Sequence, residues 1–114
     1  MLAPIPNEWT EAVIRILRTH DSRFIEWTLP ARQRWEADTF GAWNYEAYEA
    51  MMAALGVAGV QGNATTSEAG QLATYEFQFW HRSKLMYGKI ALKNDRLRIL
   101  ILSAHKAARS TLSP

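Results

Sequence analysis

The chain contains no cysteine. Disulfides, thiolate nucleophiles, iron–sulfur clusters and cysteine-built zinc sites are thereby excluded. A reducing compartment suits such a chain, and a cytoplasmic location is the expectation. Histidine is scarce. His20, His81 and His105 show no HxxxH or HxH spacing, so neither a metal site nor a metal cofactor is expected. No apolar run is long enough to cross a bilayer. Met1 to Pro6 holds two prolines and no basic stretch before an apolar run, so it does not read as a secretory signal. No membrane partner is expected.

Acid is nearly missing from the C-terminal part. From His81 onward, Asp95 alone stands against eight lysines and arginines, whereas the first 80 residues hold ten acids and five bases. The net charge is only +2. The asymmetry matters more than the sum, because a basic half suggests an anionic partner.

What remains is a chain of 114 residues, 48% hydrophobic. It fits one domain over 1–114 with its own core, with flexible tails expected at 1–6 and 108–114. Asn7 is the expected cap of a helix beginning at Glu8, and the spacing of Trp9, Ala12, Val13, Ile16, Leu17 and His20 predicts that helix over 8–20. Phe24 to Leu29 reads as a short strand or an extended connector. Ala31 to Thr39 reads as a helical turn. Asn44 then precedes Tyr45, Tyr48, Met51, Met52 and Leu55, which predict a second helix over 45–55 ending at Gly56. Gly56 to Gly70 reads as loop, with an edge strand over 60–66.

Beyond Leu72 the period becomes two. Tyr75 to Phe79, Leu85 to Leu92 and Leu97 to Ser103 read as three consecutive antiparallel strands, joined at Arg82-Ser83 and Asn94-Asp95. The expected fold is α+β, with two N-terminal helices packed on one face of an antiparallel sheet of three to four strands. Two-residue turns would pair Glu76 with Lys89, Gln78 with Tyr87, Phe77 with Gly88, Ile90 with Ile99 and Tyr87 with Leu102. One face would then be apolar. The other would carry Glu76, Gln78, Trp80, Tyr87, Lys89, Arg98, Leu100 and Leu102.

That second face suggests RNA cleavage without a metal. Such a reaction needs a base for the 2′-OH proton, cations for the phosphate and an acid for the leaving 5′-oxygen. Glu76 is the candidate base, Lys89 and Arg98 the candidate cations and His105 the candidate acid. Tyr87 or Trp80 would stack a base of single-stranded RNA. Arg82 and Lys106 are further basic residues expected to touch RNA, and Arg32 and Arg34 beside Trp35 form a weaker basic pair. The plain alternative is a surface ion pair between Glu76 and Lys89. His20 reads as structural, His81 as a solvated hairpin corner, and Trp35 and Trp43 as part of a partner surface.

Lys84-Leu85-Met86-Tyr87, then Asp95-x-Leu97-x-Ile99-Leu100, with His105 ten residues after Asp95, resembles the RelE-type mRNA interferases of the barnase–colicin–RelE group of ribonuclease folds. The resemblance covers the last strands only. It implies a toxin-type endoribonuclease acting on RNA, including ribosome-associated mRNA, with an antitoxin or immunity protein as partner. It carries over His105 and, more loosely, Lys89 and Arg82. The competing expectation is a non-catalytic interaction module, an inhibitor or adaptor, that binds through Trp80, Tyr87, Leu100 and Leu102.

Overall fold

The alternation that begins near Tyr75 is answered by a long antiparallel ladder. The computed structural model describes residues 2–65 and 73–107. In chain order these form β1 (Ala3–Pro4), α1 (Asn7–Leu17), β2 (Ile25–Trp27), α2 (Leu29–Thr39), α3 (Asn44–Leu55), β3 (Gln61–Thr65), β4 (Ala73–His81), β5 (Lys84–Leu92) and β6 (Ile99–Lys106). The strands make one sheet in the order β1-β3-β4-β5-β6-β2. The fold is α+β, and the three strands β4, β5 and β6 are consecutive and antiparallel. It exceeds the expectation in two ways. There are three helices, not two, and the sheet has six strands and is mixed, because β2 runs parallel to β6.

Each difference has a local cause. The charged stretch after Leu29 is a full helix because the Thr28 hydroxyl accepts from the Ala31 N–H at 3.2 Å and Pro30 sits in the first turn. Only Ala31, Trp35 and Thr39 of α2 are buried, a stripe too thin to stand out among charges. β2 is the strand alternative for Phe24 to Leu29, three residues long and paired with Ile99 to Ile101. The N-terminal tail is pinned rather than loose: β1 pairs with β3, and buried Ile5 donates its N–H to the Val60 carbonyl at 2.9 Å. This moves β3 off the sheet edge. Helix α1 ends at Leu17 because the chain turns at His20, which has φ 52°. His20 therefore leaves the apolar stripe and is exposed. Leu72, Thr66 to Gly70 and the 108–114 tail lie outside the described residues.

All three helices cover one face of the sheet. There Phe77, Phe79, Met86, Ile90, Ile99 and Ile101 pack against Val13, Leu17, Trp35 and Met51, all fully buried. Gly88 is required by this packing. A Cβ there would stand 2.9 Å from Phe77 Cζ and 3.1 Å from Phe79 Cε1. The first hairpin has the expected two-residue turn, with Arg82 at φ 48° and Ser83 at φ 66°, the positive pair that matches strand twist. Every expected β4–β5 partner is found.

The second hairpin differs. The Lys93 N–H donates to the Arg98 carbonyl at 2.9 Å, and the Arg96 N–H donates to Lys93 at 2.8 Å. Asn94 to Leu97 therefore form a four-residue loop. Asp95 holds it open by accepting from the Leu97 N–H at 2.9 Å and from Arg98 Nε at 3.0 Å. Ile90 consequently faces Ile101 and Leu92 faces Ile99, a shift of two residues from the expected pairing. Leu97 is left in the loop rather than in a strand.

Candidate active site on the open sheet face

A shift of two residues preserves which face a side chain points to, but one further irregularity does not. Ile90 pairs with Ile101 whereas Lys89 pairs with Ser103, so Leu102 is an extra residue in β6. Unbroken alternation would send His105 to the core side. The bulge reverses it: Ala104 fills the core, and His105 stands opposite Tyr87 on the other face. The two rings lie 5.0 Å apart between centroids.

The ladder now places four groups together. Asn63, Glu76, Lys89 and Ser103 form one row across β3 to β6, and Gln78, Tyr87 and His105 form the next. Glu76 and His105 occupy opposite corners of a patch whose centre is Lys89 and Tyr87. Their Cα atoms are roughly 12 Å apart by sheet spacing, close enough for both side chains to lean toward one phosphate. The Tyr87 hydroxyl donates to Glu76 Oε2. Burial first, and then the Glu76 carboxylate, raise the Tyr87 phenol far above its ordinary range, so it stays a donor. Glu76 faces Lys89 across the ladder, but the two form no ion pair; its contact is with Tyr87 instead. Among the described residues the Lys89 ammonium has no carboxylate partner. No described helix covers this face.

The remaining expected site residues lie elsewhere. Arg98 is at the loop end of the β5–β6 hairpin, bound to Asp95, and roughly 15 Å along the strand from Ser103. Arg82 lies in the first turn and pairs with Glu46 at 2.9 Å, on the helix side. Lys106 pairs with Met86 in the ladder, on the helix-covered face, and its N–H donates to Asp38. Trp80 does share the open face, at the Arg82 end, and is 64% exposed. Tyr87 is not the exposed aromatic that was expected, at 7%.

Two further expectations are corrected. His81 is not a solvated corner. It follows Phe77 and Phe79 on the core face, where its ring lies 4.9 Å from Trp35 and its Nε2 is 2.9 Å from Glu46. Trp35 is fully buried and offers no partner surface, unlike Trp43, which is exposed. Glu46 is held below the ordinary carboxylate range, chiefly by the His81 hydrogen bond and then by Arg82.

Of two site neighbours, Asn63 was not legible in the chain and Arg34 was legible only as half of a weak basic pair with Arg32. Arg34, in the middle of α2, lines the same small hollow as Ser103 and His105, about 100 Å³ in volume. Its position depends on α2 packing along β6 where β2 stops. Asn63 sits beside Glu76 in the row, and its buried Oδ1 has no hydrogen-bond partner among the described residues. Gly62 brings β3 this close, since a Cβ there would collide with the Glu76 carbonyl and the Ile5 side chain.

No protein-family model, curated protein or solved structure matches the chain. The chemistry of the patch must be read from its own groups. Among the described residues it offers one carboxylate with one oxygen not engaged, one ammonium without a carboxylate partner, a phenol donor and an imidazole, with a guanidinium at the rim. Such a set can move a proton at either side of a phosphodiester while neutralising the charge between.

Proposed function

We propose that this chain is a metal-independent endoribonuclease of toxin type, acting on single-stranded RNA across the open face of its sheet. The observation that carries the reading is the ladder itself. Glu76, Tyr87, Lys89 and His105 sit at adjacent positions on one face that none of the described helices packs across, although they come from three strands. In this reading Glu76 takes the 2′-OH proton through the oxygen that Tyr87 does not hold. The 2′-oxygen then attacks phosphorus. Lys89, with Arg34 at the rim, neutralises the non-bridging oxygens. Protonated His105 gives its proton to the departing 5′-oxygen. The products are a 2′,3′-cyclic phosphate and a 5′-hydroxyl. Tyr87 is a positioning residue for Glu76. Exposed Trp80 supplies a stacking surface for a neighbouring base.

RNA, including mRNA on ribosomes, is the proposed substrate, and an antitoxin or immunity protein the proposed partner. The binding-module alternative has less support, because Tyr87 is buried and engaged with Glu76, and Leu100 and Leu102 are only half-buried. The decisive test is RNA cleavage by the purified, folded chain in EDTA. Cleavage leaving cyclic phosphate ends is expected, with loss on Glu76→Gln, Lys89→Ala and His105→Ala. A folded protein that cleaves no RNA, with or without ribosomes, ends the proposal. A stable protein partner without turnover would favour the binding module.

A further inference from the structure

A second hollow is not on the sheet face. It lies in the helical layer, between the end of α1, the middle of α2 and the start of α3, and holds about 590 Å³. That is within the range of small-ligand sites. Its lining is unusual for an incidental groove. Trp43 is 71% exposed and Tyr45 50% exposed on its rim. The Tyr45 ring stacks on His20 with centroids 6.2 Å apart, and His20 is itself fixed by Glu49 at 2.8 Å.

Three polar groups converge there. The Arg32 guanidinium lies 5.7 Å from the Trp27 ring centroid and has no carboxylate partner among the described residues. Glu36, one turn further along α2, lines the same hollow, and its carboxylate makes no hydrogen bond among the described residues. The hydroxyl of Tyr48, a residue only 5% exposed, accepts from Trp27 Nε1 at 2.9 Å and keeps its own proton to donate. The start of α3 also borders this hollow, with the Glu46 N–H donating to the Trp43 carbonyl at 3.0 Å.

We infer that this cleft is a second ligand site, built for one nucleobase–phosphate unit. The base stacks on Trp43 and Tyr45, because every base has a π face. The phosphate takes the Arg32 guanidinium and the Tyr48 hydroxyl. Glu36 accepts from the Watson–Crick edge. Guanine suits it best, since its adjacent ring N–H and amino group match the two oxygens of a carboxylate, whereas uracil offers one donor. The unit comes either from a free nucleotide or from a stretch of RNA. The site is separate from the sheet face and does not depend on the ribonuclease reading.

Titration of the full chain with GMP, UMP and a short G-containing oligoribonucleotide, followed by heteronuclear NMR, tests this. GMP is expected to give saturable shifts at the Trp43 indole, Tyr45 and Arg32, and to bind more tightly than UMP. Trp43→Ala and Arg32→Glu should each weaken GMP roughly tenfold, while Glu76→Gln leaves it unchanged. Glu36→Gln should erase the preference for GMP over UMP. An oligoribonucleotide that binds the cleft at least tenfold more tightly than GMP assigns the unit to RNA, and equal affinity assigns it to a free nucleotide. Absence of saturable shifts in the cleft up to about 10 mM GMP, or shifts confined to the sheet face, overturns the inference.

Discussion

Arg98 and Arg34 exchange roles between the plain sequence pattern and the folded chain, and the exchange can be measured. Alternation puts Arg98 on the same face as Glu76 and Lys89. The fold leaves it roughly 15 Å along β6 from Ser103, with its guanidinium on Asp95 at 3.0 Å. Two unit charges at that distance in water interact by about 0.3 kcal/mol, less than a factor of two in rate. Salt reduces this further, because the separation exceeds a Debye length of about 8–10 Å. Arg34 instead lines the hollow beside His105. A donor aimed at developing charge on a phosphate is worth about 2.7–4 kcal/mol when buried. Rim exposure lowers that, so a loss of at least about tenfold is the expected floor. The assay is cleavage of a fluorogenic oligoribonucleotide in EDTA, comparing kcat/KM for Arg34→Ala and Arg98→Ala with the parent. Arg98→Ala should change it less than about twofold and Arg34→Ala at least about tenfold. Equal losses, or a larger loss for Arg98→Ala, would refute the placement of the phosphate on the Lys89–Ser103 row.

Gly88→Ala should destabilise the fold by about 1–3 kcal/mol, because Phe77 and Phe79 are both buried and cannot withdraw from a new Cβ; a drop in Tm by thermal melt checks it, and an unchanged Tm speaks against this packing. Ser83→Gly should stabilise by about 0.5–1 kcal/mol, since φ 66° strains an L-residue, read as a higher denaturation midpoint. Glu46→Gln should remove an acid-dependent part of stability. The Glu46 pKa is lowered by His81 and Arg82, so its contribution is fully present above the ordinary glutamate value of 4.5 and is lost as pH falls through the lowered folded value. The stability gap between parent and variant should therefore shrink below pH 4.5, and a gap that stays constant there contradicts the assignment.

Local pattern reached as far as contacts that are themselves local. The β4–β5 ladder was fully legible, because alternation fixes the faces and a two-residue turn fixes the register. Helix α3 was legible from Tyr48, Met51 and Leu55 at helical steps, all three buried. β2 was legible only as one of two alternatives, since three residues acquire strand character by pairing with distant Ile99 to Ile101. Helix α2 was hidden by its charges, although Thr28 with Pro30 two residues on was a signal that a capping argument could have used.

The most consequential part of the site was the least legible. His105 reaches the open face only because Leu102 is extra in β6. Nothing in Ile99-Leu-Ile-Leu-Ser-Ala-His announces a bulge, for three consecutive positions would pack acceptably on either face. What selects it is the neighbourhood. Gly88 leaves room opposite only for a small residue beneath the Phe77 and Phe79 rings, and Ala104 is the small residue available. Without the extra residue, Gly88 would face Ser103, and a hydroxyl would be buried against two phenyl rings with no partner. His105 would then follow into the core, where burial disfavours its protonated form. The desolvation cost of Ser103 and His105 together outweighs one interrupted ladder position. The placement of the candidate acid is thus a by-product of core packing around Gly88, on the preceding strand and away from where a motif search would look.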